Sequence, residues 1–168
     1  NFSLANNNMY RGDWESSRLL YENAILNCQK WGFQNLEDWV LAGLSYASEE
    51  LCDYQASLNY LEQALRACQK TGNSRVMGWA HYNYCITYLP MGKYALARQH
   101  ADQCAAYYNA LNDLRGIAWL TYSYGRIARK EGDYVTAKNH FIESRQSFEK
   151  LGDFMGLAFA IHNFGLVA

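Results

Sequence analysis

The sequence predicts an all-α solenoid built from antiparallel helix pairs, about eight helices in about four units of forty residues. Three observations carry this. Gly12-Asp13-Trp14, Cys52-Asp53-Tyr54, Gly92-Lys93-Tyr94 and Gly132-Asp133-Tyr134 recur at forty-residue intervals without an insertion. A second turn column, Gly32, Gly72, Asn112 and Gly152, falls midway between them. Between the turns the apolar residues follow a spacing of three and four, the period of one helix face. A fixed period of this length is the signature of a stacked repeat, in which each unit buries its apolar face on its neighbours.

The elements follow in order. Gly or Asn at each turn supplies the left-handed backbone that ends a helix. Helices are therefore expected near residues 13 to 31, 34 to 50, 54 to 71, 74 to 90, 94 to 111, 114 to 131, 134 to 151 and from 154 to the end. In the last full unit Tyr134, Ala137, Phe141, Ser144, Phe148 and Leu151 line one face. Asp113 and Asp153 stand where a short carboxylate accepts from the orphan amides of a first turn. Pro90 reads as punctuation before Gly92. Residues 4 to 14 align with 124 to 134, which starts the chain inside the first helix of a unit, and the apolar last helix lacks the polar face of a capping repeat. Residues 1–168 are thus read as a single repeat domain cut from a longer array, with unit boundaries near 12, 52, 92 and 132.

Composition narrows the function. Fifteen basic and sixteen acidic residues leave a formal charge of -1, which gives no field to attract nucleic acid. No apolar run reaches the length of a membrane span, so no membrane contact is expected. The five cysteines form no Cys-x-x-Cys pair, and reduced, buried thiols in the cytoplasm are the economical reading. The four histidines fall as His100 and His140 on second helices and His81 and His162 on first helices, with no metal-ligand or nucleophile–base spacing. No metal, no cofactor and no enzymatic activity are expected.

The fourth unit, read from Thr121 through Gly125, Ala128, Gly132, Tyr134, Ala137 and Phe141 to Ser144, resembles the tetratricopeptide repeat (TPR). The resemblance covers essentially the whole chain and implies a right-handed superhelix, with Gly125 and Ala137 where helices cross closely and Tyr134 and Phe141 filling the space between units. It departs from the family in period, forty against about thirty-four, and in lacking the proline after the second helix, where Glu149 stands. The phrase Leu151-Gly152-Asp153, with Gly156, Ala158, Asn163 and Gly165, looks like the long-repeat subclass of bacterial signalling ATPases, transcription regulators and some peptide-binding adaptors. There the array is a sensor or docking arm.

In that family the first helix of each pair lines the concave groove. Carried over by position, the groove residues are Trp39 and Tyr46; Trp79 and Tyr82; Trp119, Tyr122, Arg126 and Arg129; and Phe159 and His162. Asn83 and Asn163 share a column from which an amide reaches a peptide backbone. The resemblance thus implies an aromatic ladder with an acidic end at Glu49 and Glu50 and a basic end at Arg126, Arg129 and Lys130. A structural alternative stands beside each: a Trp column at repeat spacing also arises from packing between repeats, the asparagines from solvated positions, and the basic cluster from a charged helix face. The expected function is a protein- or peptide-binding scaffold. The alternatives are a ligand-sensing arm acting on other domains of its own full-length chain, and self-association through the terminal helices.

Overall fold

The structure, a computed structural model, describes residues 2–167, for Tyr10 the backbone alone. Every regular element among them is a helix: α1 Phe2–Tyr10, α2 Trp14–Trp31, α3 Gln34–Glu50, α4 Tyr54–Thr71, α5 Ser74–Tyr88, α6 Tyr94–Ala110, α7 Leu114–Glu131, α8 Tyr134–Leu151 and α9 Phe154–Gly165. The ninth is α1, the part-helix that the alignment of residues 4 to 14 places at the start. α5 ends two residues before Pro90, because proline disfavours helical backbone in the residue that precedes it.

Two features set every turn. Gly12, Gly32, Gly72, Gly92, Gly132 and Gly152 all have φ between 65° and 87°, and the two columns are completed by Cys52 at 60° and Asn112 at 50°. The following residue then caps the next helix. Asp13, Asp53, Asp113, Asp133 and Asp153 each accept from the backbone amide three residues on, at 3.0 to 3.2 Å, and Asn73 does so from Val76 at 3.3 Å. Phe33 and Lys93 occupy cap positions without a side-chain bond.

The chain forms two compact units, residues 1–87 and 88–168. In the first, α2 packs on α1 and α3, α3 packs on α4, and α1 touches α3. Its core gathers Tyr21, Val40 and Leu44 with Cys28, and beside them Cys68, Val76 and Ala42. In the second, α7 packs on α6 and α8, α8 on α9, and α7 touches α9 around a core of Tyr122, Phe141, Phe148 and Ala160. Consecutive helices thus pair, and alternate helices meet along one side.

Close approach is set by complementary sizes. A Cβ on Gly125 would lie 2.6 Å from the Phe141 ring, one on Gly156 2.5 Å from Phe148, and one on Gly116 2.8 Å from Tyr108. At the positions of the first unit that match Phe148 and Gly156 the large ring is a cysteine and the glycine a larger residue: Cys28 with Leu36, and Cys68 with Val76. Volume removed on one helix is restored on the other, which keeps packing density constant. Tyr134, expected to fill space between units, is instead 57% exposed, as a first-turn residue aimed away from the core. Cys52 is likewise exposed at its turn, while the other four cysteines are buried thiols. Burial, with Asp38 nearby, pushes the Cys68 thiol up to about 12.

Candidate functional site

The first helices of the pairs, α1, α3, α5, α7 and α9, carry all twelve sequence-predicted groove residues. In the first unit Trp39 and Trp79, half-buried, meet at 5.8 Å between ring centroids. Tyr46 and Tyr82 are also half-buried, and Trp14 of α2 meets the Tyr46 ring edge-on at 5.8 Å. Burial pushes the Tyr46 phenol far above its ordinary range, with Tyr82 and the carboxylate of Glu50 adding to the effect.

Asn83 is fully buried. Its amide donates to the Ala42 carbonyl and to Ser45 Oγ, both at 3.0 Å, so its donors are consumed by the preceding first helix. The solvated alternative for this column is corrected: the side chain is a polar staple between repeats. Its Oδ1 has no hydrogen-bond partner among the described residues. Asn163 repeats the arrangement eighty residues on, nearly buried, donating to the Tyr122 hydroxyl at 2.8 Å and to the Phe159 carbonyl at 3.1 Å.

The second unit concentrates the aromatics. Trp119 lies 4.9 Å from Phe148, 5.8 Å from Tyr122 and 6.0 Å from Phe159. Its indole N–H donates to the carboxylate of Asp153 at 3.2 Å, so the Trp119 column serves packing as well as presenting a face. Tyr122 is buried, and burial raises its phenol against the opposing pull of Arg126 and Arg129. Arg126 sits 5.9 Å above the Tyr122 ring. Among the described residues neither Arg126 nor Arg129 is in an ion pair, and Arg129 Nε is buried without a hydrogen-bond partner. Phe159, at 47% exposure, and His162 are open to solvent. The second unit therefore offers an aromatic shelf beside two uncompensated guanidiniums.

Asp38, fully buried on α3, is a polar centre that the sequence reading missed. Its carboxylate accepts from Thr71 Oγ1 at 3.0 Å and from Asn73 Nδ2 at 3.1 Å, tying α3 to the turn that opens α5. Its repeat column continues as Gly78, Ala118 and Ala158, and an acid in a column of small residues was the signal available. Among the described residues no group of three or more His, Cys, Asp or Glu side chains is placed to hold a metal ion. None of the described helices is long and apolar enough to cross a membrane.

The fold and this face define an all-helical repeat protein. A solved structure that the chain resembles is BtubC (BKLC) from P. vanneervenii, with a TM-score of 0.68 and 14% identity over 98% of this chain and 76% of that one. At that identity the likeness establishes the fold alone. No family model matches the chain, and no curated protein matches it. The comparison also corrects an expectation: the exclusion of enzymatic activity, drawn from the missing catalytic set, does not stand against the BtubC neighbour and is withdrawn.

Proposed function

We propose that the chain is a tetratricopeptide-type docking module, working in the cytoplasm, that binds a protein or peptide on the first-helix face of its second unit. The observation that carries the reading is the pairing of Phe159, Trp119 and Tyr122 with Arg126 and Arg129, two arginines without a carboxylate partner among the described residues. Arginine offers a planar fork that a carboxylate fills with two parallel bonds. An aromatic shelf next to it accepts an apolar anchor, and aromatic and arginine side chains together are the composition of binding hot spots. The fitting partner is an extended or helical peptide with an apolar residue a few positions from an acidic one.

The test is fluorescence anisotropy with a panel of peptides pairing a tryptophan or leucine with aspartates, against the same peptides carrying lysines. Binding of the acidic set, falling at least tenfold in R126E/R129E and weakening with salt, is the expected result. Equal affinity for acidic and basic peptides, or an R126E/R129E double variant that binds as wild type does, overturns it.

A further inference from the structure

The two arginines of the second unit stand where repeat packing does not ask for charge. In the same columns Arg126 is matched by Ile86 and Tyr46, and Arg129 by Leu89 and Glu49. Among the described residues no carboxylate pairs with either guanidinium. Glu131, the acid at the end of α7, is taken by Arg98 of α6 at 2.5 Å, and α9 carries no acid.

Tyr122 adds a third donor and joins the arginines to the aromatic shelf. Its ring centre lies 5.9 Å from the Arg126 guanidinium and 6.3 Å from the centre of the Phe159 ring. The side chain is 5% exposed, and Asn163 Nδ2 donates to its hydroxyl at 2.8 Å. An amide nitrogen only gives hydrogen bonds, so the phenol oxygen is here an acceptor. The phenol's own hydrogen meets no acceptor among the described residues. Burial keeps that hydrogen on the oxygen, against the pull of Arg126 and Arg129.

Two positive charges and three donor groups discriminate between anions. A carboxylate brings one negative charge and two oxygens, which leaves a guanidinium without a counter-charge. A phosphate monoester brings about -1.5 to -2 at pH 7 and three acceptor oxygens, enough to engage both guanidiniums and the phenol together. We infer that Arg126, Arg129 and the Tyr122 hydroxyl form a phosphoryl site, and that its ligand is a phosphorylated side chain of a docked peptide. The inference rests on the peptide-docking reading of this face and names what fills its charged end. A peptide is the fitting carrier because the Phe159 ring lies about two extended residues from Tyr122, where an apolar neighbour of the phosphorylated residue lands.

The test is fluorescence anisotropy with one peptide that carries a tryptophan two residues from a variable position, occupied by serine, aspartate or phosphoserine. Phosphoserine is expected to bind at least about tenfold more tightly than aspartate, and serine more weakly than both. The gain from phosphoserine over aspartate should shrink to about twofold in Y122F and in R126Q. Y122F also removes the acceptor of Asn163 Nδ2, whereas R126Q changes a half-buried side chain outside the core and is expected to keep full helical circular dichroism. Aspartate binding as tightly as phosphoserine overturns the phosphoryl site and leaves the acidic-peptide reading standing; binding of neither overturns both. A gain that survives R126Q unchanged places the phosphoryl group elsewhere and overturns the assignment. Inorganic phosphate that displaces the phosphoserine peptide at a concentration near the peptide's own Kd overturns the peptide as the carrier.

Discussion

Cys52 and Lys93 are the residues at which this chain departs from its own rule. Cys52 holds a left-handed φ of 60° where the other three members of its column are glycine. A side chain there costs about 1 kcal/mol, so C52G is expected to raise the unfolding free energy by about that amount, read as a higher urea midpoint. Lys93 stands at a cap position that three aspartates fill in the other units, and it makes no side-chain cap bond. A side-chain carboxylate cap is worth about 1 kcal/mol, and K93D should gain about that much in the same assay. In the opposite direction, G125V thrusts methyl groups into the Phe141 ring 2.6 Å from the Cβ position. Overpacking of a core typically costs about 1–3 kcal/mol, and G125V is expected to lie at the upper end because the obstacle is a fully buried ring. The turns and caps were legible at this scale because left-handed backbone and orphan amides each demand a narrow set of residues. Asp38 and the burial of Asn83 were not, since a polar letter in one column says nothing of depth until the neighbouring helix is placed over it.

At the scale of the element, α5 and α8 carry a pH dependence. Burial holds the His140 imidazole of α8 below its ordinary 6.5, Glu143 and Asp133 pulling upward and Arg98 downward, and burial does the same to His81 of α5. Asp133, the α8 cap, is held below 3.8 chiefly by its hydrogen bonds from Thr136. In all three the unfolded chain binds protons more readily than the folded one, so their contribution is complete above the unfolded values and is lost as pH falls. The urea midpoint is expected to decline from above about pH 6.5 downward through the histidine range, and again below about pH 4 as Asp133 protonates. H140Q should flatten the first decline and leave the second; a midpoint that rises on acidification counts against the assignment. The helix boundaries were legible to within two residues except at the end of the last helix, expected to run to the end of the chain where α9 stops at Gly165, whereas the role of the aromatic column was only half so. Its periodicity located Trp39, Trp79, Trp119 and Phe159 on first helices, but their ring contacts of 5.8 and 6.0 Å arise from stacking that no single helix contains.

For the molecule as a whole, contacts run between helices that are neighbours or next neighbours in sequence, in each unit by itself. Stability in such an array is close to a sum of local terms. Leu61 and Phe141 occupy the same repeat column in different units, and both are fully buried. L61A and F141A are expected to cost about 2–5 and 3–5 kcal/mol respectively, and the double variant the sum of the two within about 0.5 kcal/mol. A large departure, measured by equilibrium urea unfolding, would reveal coupling that these local contacts do not carry.

The paired sizes at the helix crossings have a bearing on how such a chain changes over generations. Cys28 with Leu36, Cys68 with Val76, Tyr108 with Gly116 and Phe148 with Gly156 are four solutions to one spatial problem. Moving Phe148 alone into the place of Cys68 would set a ring against Val76; moving Gly156 with it would carry its vacancy along. The heritable letter of this array is therefore the pair. Units can be duplicated, shuffled or lost between turns, while drift inside a unit proceeds by two-step exchanges whose intermediates are either strained or hollow.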